Sequence, residues 1–105
     1  MATTRTASAH WEGTLMEGAG RVSLDTSGVG TFELTWRSRA EAAEGRTSPE
    51  ELIGAAHAGC FSMALSNGLA KAGTPARSLD TRAEVGFQPG VGITGITLTV
   101  RGDVP

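Results

Sequence analysis

At 105 residues the chain has room for one domain, 1–105, with a modest core. Its 9 basic and 11 acidic residues leave a formal charge of −2, and three Phe, two Trp and no Tyr give no stacking series, which argues against a nucleic-acid binder. One cysteine, Cys60, excludes an internal disulfide framework and a cysteine-rich zinc site.

Residues 1–6 read as a loose terminus. From Ala7, the alternation of Ala7, Ala9, Trp11 and Gly13 with polar neighbours predicts a strand. A turn at Glu17-Gly18-Ala19-Gly20 leads to a second short strand, Arg21 to Leu24, and Asp25-Thr26-Ser27-Gly28 forms the next turn. Thr31 to Arg39 reads as a third strand, with Phe32, Leu34 and Trp36 on one face and Glu33, Thr35, Arg37 and Arg39 on the other. Residues 40–46 are small and charged and predict a loop.

The stretch 47–73, TSPEELIGAAHAGCFSMALSNGLAKAG, carries strong helix signals. Ser48 suits the N-cap, Pro49 the first helical position, and Glu51 completes a capping box. Lys71 suits the last turn and Gly73 the left-handed cap. The helix so bounded is about 24 residues, or roughly 36 Å, long. It is apolar on nearly all faces and is expected to be buried. Gly54, His57, Gly59, Ser62 and Asn67 make it too polar for a membrane span. Its small residues invite close packing, with Cys60 expected where that packing is tightest.

After the helix, Leu79 to Phe87 and Ile93 to Arg101 predict two strands joined by a turn at Gln88–Gly92. The order βββ-α-ββ predicts an α+β chain, an antiparallel sheet of about five strands with one long central helix on its face. One helix on such a sheet keeps much of its surface uncovered, so a fragment or a chain with a partner is expected.

A buried cysteine is by default an inert small hydrophobe. A functional Cys60 needs a group that favours the thiolate, and Arg37 and Arg39 are candidates. Glu50, at the second helical position, is able to orient an arginine. Ten residues of helix separate it from Cys60, about 15 Å, so an arginine or a second chain has to bridge them. His57, three residues before Cys60, allows a Cys–His pair, but no third group orients the imidazole within this helix, and a packing role is the default. Two histidines and one cysteine without ligand spacing predict no metal, and no cofactor is expected. The lone thiol, with an N-terminus MATTRTASAHWEG that lacks the apolar core of a secretion signal, points to the cytoplasm.

The run PEELIGAAHAGCFSMALS, residues 49–66, together with AHWEG and SLDTRAEV, resembles the OsmC/Ohr family of osmotically inducible and organic hydroperoxide resistance proteins, and is closest to its OsmC branch. The resemblance implies a thiol-dependent peroxidase acting on organic hydroperoxides and, less efficiently, hydrogen peroxide. It implies an intertwined homodimer with sites at the subunit interface. Cys60 matches the peroxidatic cysteine, Glu50 the glutamate ten residues before it, and Arg39 best matches the arginine that holds the thiolate, with Arg37 as the alternative. Family members carry a second, resolving cysteine in a later helix. This chain has none, which implies truncation at the C-terminus and an external thiol or dithiol reductant; in the Ohr branch a lipoylated protein can serve. The competing readings are a non-catalytic ligand-binding or stress-associated scaffold and a Cys60–His57 hydrolase.

Overall fold

A computed structural model describes residues 2–105; Met1, the start of the expected loose terminus, lies outside the described residues. The chain gathers into two compact units, one ending at Pro49 and one beginning at Glu50.

The first unit holds three short strands, β1 (Ser8–Glu12), β2 (Ala19–Ser23) and β3 (Thr31–Leu34), in an antiparallel sheet of order β1-β2-β3. Trp11 pairs with Gly20 across β1 and β2, and Val22 with Phe32 across β2 and β3. The third strand is shorter than its alternation suggests. It stops at Leu34, and Trp36–Ala40 form a short helix, α1. Thr35 caps that helix: its hydroxyl accepts from Ser38 N at 3.0 Å, and Ser38 Oγ accepts from Thr35 N at 2.9 Å. This reciprocal box satisfies two amides that would otherwise lack partners and turns the chain out of the sheet. Arg37 and Arg39 therefore stand on a helix, not on the polar face of a strand. Thr47 N donates to Glu33 O at 2.8 Å, and Ser38 Oγ lies 2.8 Å from the Thr47 carbonyl oxygen, so the loop after α1 returns beside β3.

The second unit is a long helix and a β-ribbon. α2 spans Pro49–Lys71, as its cap signals predict, with Glu50 and Glu51 in its first turn and Lys71 in its last, where each favours the helix dipole. Gly73 closes it at φ +85, and Thr74 N donates to Leu69 O at 2.9 Å. β4 (Ser78–Gln88) and β5 (Gly92–Asp103) form an antiparallel pair with a register shift at Gly86/Phe87. The α+β class, the five strands and the long helix stand as predicted. The strands, however, divide into a three-stranded and a two-stranded sheet instead of forming one.

α2 rests on β4 through small residues. A Cβ built on Gly54 would meet Val85 Cγ2 at 3.5 Å and Ala83 O at 3.7 Å, and Ser62 Oγ lies 2.6 Å from Thr81 Oγ1. Gly54, Ala58, Ser62, Leu65 and Leu69, all buried or half-buried, make a stripe at helical spacing on this side. The other faces are open. Within α2 only Glu50 and Gly54 are buried, so the helix expected to be central and buried is largely exposed in the single chain. Among the described residues no apolar side chain is fully buried. One helix over a two-stranded ribbon covers one side of itself and no more.

Candidate active site around Cys60

Cys60 lies on α2, two residues from Ala58 and two from Ser62. At 3.6 residues per turn that offset is about 200°, so Cys60 projects from the side opposite the stripe that touches β4. The thiol is exposed. The helix meets β4 at Gly54 and Ser62 instead, and a Cβ built on Gly59, next to Cys60, would meet nothing within 4 Å, which corrects the expectation that Cys60 marks the closest packing. Phe61 and Met63 flank the thiol and are 38% and 76% exposed, so the surface beside the cysteine is apolar and open. A thiol of this kind is chemically accessible, which a packing cysteine is not.

Glu50 occupies the second position of the same helix and is 5% exposed. A carboxylate is seldom this buried unless it is paired. No buried side-chain oxygen or nitrogen in the described residues lacks a hydrogen-bond partner. The ten-residue separation between Glu50 and Cys60, both on α2, is about 15 Å along the axis, as the sequence requires.

The two candidate arginines differ. Arg37 Nη2 lies 2.8 Å from Glu44 Oε1, in an exposed ion pair with the loop after α1. Arg39, two residues on, is half-buried and lines a cavity of about 430 Å³ in the first unit, with Trp11, Leu15, Leu34, Trp36 and Pro49. Sequence reasoning singled out neither Trp11 nor Leu15. In the sequence Trp11 is one residue of a strand alternation, and Leu15 lies in the β1–β2 connection, outside any periodic pattern.

His57 is exposed, which departs from the packing role expected of it, and among the described residues it makes no hydrogen bond to Cys60. A hydrolytic Cys–His pair needs such a bond or a path to one. Among the described residues no three His, Cys, Asp or Glu side chains cluster as metal ligands would, and no helix is long and apolar enough to cross a membrane.

A family model described as OsmC-like protein matches residues 41–105. The chain belongs to the OsmC family. It is similar to the peroxiredoxin OsmC of Escherichia coli strain K12 and to that of Shigella flexneri, at 45% identity over 100 residues with each, covering 92% of this chain and 69% of the relative. Among solved structures, an organic hydroperoxide resistance protein from Elizabethkingia anophelis, crystallised with thiocyanate, superposes with a TM-score of 0.61 at 25% identity, over 100% of this chain and 74% of that one. The organic hydroperoxide resistance protein OhrB of Bacillus subtilis shares the fold, with a TM-score of 0.53 at 24% identity, over 94% of this chain and 70% of that one.

Proposed function

We propose that this OsmC-family chain, 1–105 as a single OsmC-like domain, is a cysteine-based peroxidase that reduces organic hydroperoxides. The observation that carries the reading is the 45% identity to proteins named peroxiredoxin OsmC, joined to the exposed setting of the single thiol on α2. Cys60 is the peroxidatic residue, Arg39 favours its thiolate, and Glu50 orients the guanidinium. Arg37 is exposed and Arg39 half-buried, which favours Arg39 over Arg37 for that role.

In the reaction the Cys60 thiolate attacks the terminal peroxide oxygen. An S–O bond forms as the O–O bond breaks, and the alkoxide leaves and takes up a proton to become an alcohol. The peroxide is reduced by two electrons and the sulfur is oxidised to a sulfenic acid. An external thiol condenses with that acid, releasing water, and a second thiol reduces the mixed disulfide. The open outward face of α2 suits a homodimer, and a cytoplasmic setting suits the free thiol.

The test is intact mass after a brief, substoichiometric dose of cumene hydroperoxide with dimedone present and a Cys60→Ser control. Rapid trapping at Cys60 is expected. A thiol that reacts no faster than free cysteine overturns the peroxidase and moves the non-catalytic scaffold ahead.

A further inference from the structure

The second unit carries an open cavity of about 540 Å³ between the C-terminal half of α2 and the chain that returns into β4. That volume lies within the roughly 300–1,000 Å³ typical of small-molecule sites. Its helix wall holds Ser62, Ser66 and Ala70, spaced four apart on one side of α2, with Met63 and Asn67 in the adjoining row. From Ser62 to Ala70 this wall runs about 12 Å along the axis. Residues 76–79 form the facing wall. Ser62, through its 2.6 Å contact with Thr81 Oγ1 in β4, ties the helix to that strand.

Four polar side chains of the lining have hydrogen-bonding capacity to spare. Ser66, Asn67 and Ser78 make no side-chain hydrogen bond among the described residues. Arg77 gives Nη1 to Asp103 Oδ1 at 3.2 Å, and its other guanidinium N–H groups make no bond among those residues. Among the described residues of the lining, Arg77 alone is charged, while Met63, Ala70 and Leu79 supply apolar surface. A guanidinium forks onto a carboxylate through two parallel N–H···O bonds, and hydroxyl and amide donors take the remaining lone pairs. A single cation, already shared with Asp103, matches one negative charge better than the two of a phosphate.

We propose that this cavity binds a small monocarboxylate, its carboxylate on Arg77 with Asn67 and the two serine hydroxyls as further donors, and its apolar body against Met63 and Leu79. Cys60 is not part of the lining, so binding is independent of the thiol and of the peroxidase reading. Asp103 competes with the ligand for the guanidinium.

Phenylacetate and its neutral isostere 2-phenylethanol are titrated separately into the full chain at 150 mM salt, where distant charges are screened. NMR follows the Met63 methyl, which a bound phenyl ring shifts by its ring current, and the Asn67 side-chain amide. Saturable shifts at both are expected, with phenylacetate about fivefold or more tighter than the alcohol. Arg77→Met keeps an apolar stem without the charge and brings the two ligands within about twofold of each other. Asp103→Asn removes the competitor, tightens phenylacetate by about twofold or more and leaves 2-phenylethanol unchanged. The Arg77 and Asp103 side chains are 66% and 61% exposed, so neither substitution opens a core. No saturable shift at Met63 and Asn67, equal binding of the two ligands, or a carboxylate preference that survives Arg77→Met overturns the proposal.

Discussion

Ser62 Oγ lies 2.6 Å from Thr81 Oγ1, which ties the middle of α2 to β4 on the side of the helix opposite Cys60. The Ser62 hydroxyl also lies 2.8 Å from Ala58 O, so its single proton goes to that carbonyl and Thr81 donates across the gap. Ser62→Ala leaves the half-buried Thr81 hydroxyl without its acceptor and is expected to cost about 1 kcal/mol in urea unfolding. Adding Thr81→Val removes the stranded donor and restores part of that loss. A double variant less stable than either single one means that the two hydroxyls do not act as a pair.

The arginines separate by substitution. Arg37 is engaged in an exposed ion pair with Glu44, worth about 0–1 kcal/mol, so Arg37→Ala leaves Cys60 oxidation by cumene hydroperoxide within about twofold. Arg39→Ala slows it by about tenfold or more, measured as dimedone-trapped protein over time. Circular dichroism confirms that each variant is folded. The reverse order of effects would assign the role to Arg37.

That the sequence reads as strand through the two arginines is a matter of length. From Phe32 to Arg39 the apolar residues alternate, and a five-residue helix is too short to impose a competing 3.6 period. The signal that distinguishes the two is Thr35 followed at the third position by Ser38, a box with a hydroxyl where Glu or Gln is usual. The long helix was legible because Ser48, Pro49, Lys71 and Gly73 all mark its ends. The division into two sheets was not, since alternation marks a strand without naming its neighbour. The exposure of Cys60 was not legible either: an all-round apolar helix reads as buried, and only the contacts at Gly54 and Ser62 show which face is covered. The tryptophan cavity depends on Trp11 lying over Gly18 and Gly20, a cross-strand contact that local pattern does not reveal.

The β1 surface carries a pH-dependent pair. His10 Nε2 lies 2.9 Å from Glu12 Oε1, and this hydrogen bond, then the charge of His10 and that of Arg21, hold the Glu12 carboxyl below the usual glutamate range. A carboxyl lowered on folding stabilises the fold above its unfolded pKa, and that contribution disappears as pH falls through the folded value. NMR titration of Glu12 is expected to give a midpoint below that of a model peptide. His10→Ala moves it up toward the peptide value, and 1 M salt does so in part, because both side chains are exposed to solvent. A midpoint unchanged by His10→Ala would show that the pair does not form in solution.

Gly54 sets how closely α2 approaches β4. It is buried, yet a Cβ there would stand 3.5 Å from Val85 Cγ2 and 3.8 Å from Ala83 Cβ, which is ordinary van der Waals contact. Glycine inside a helix costs about 0.8–1 kcal/mol relative to alanine. Gly54→Ala is therefore expected to raise stability by up to about 1 kcal/mol while adding apolar contact to Val85. Gly54→Leu has no such room. Its branched end would press on the β4 backbone at Ala83 O, 3.7 Å from the built Cβ, and overpacking of this kind costs about 1–3 kcal/mol. The two variants thus move in opposite directions in the same denaturant series. Loss of more than about 1 kcal/mol on Gly54→Ala would mean that the helix sits closer to the ribbon than the 3.5 Å contact allows.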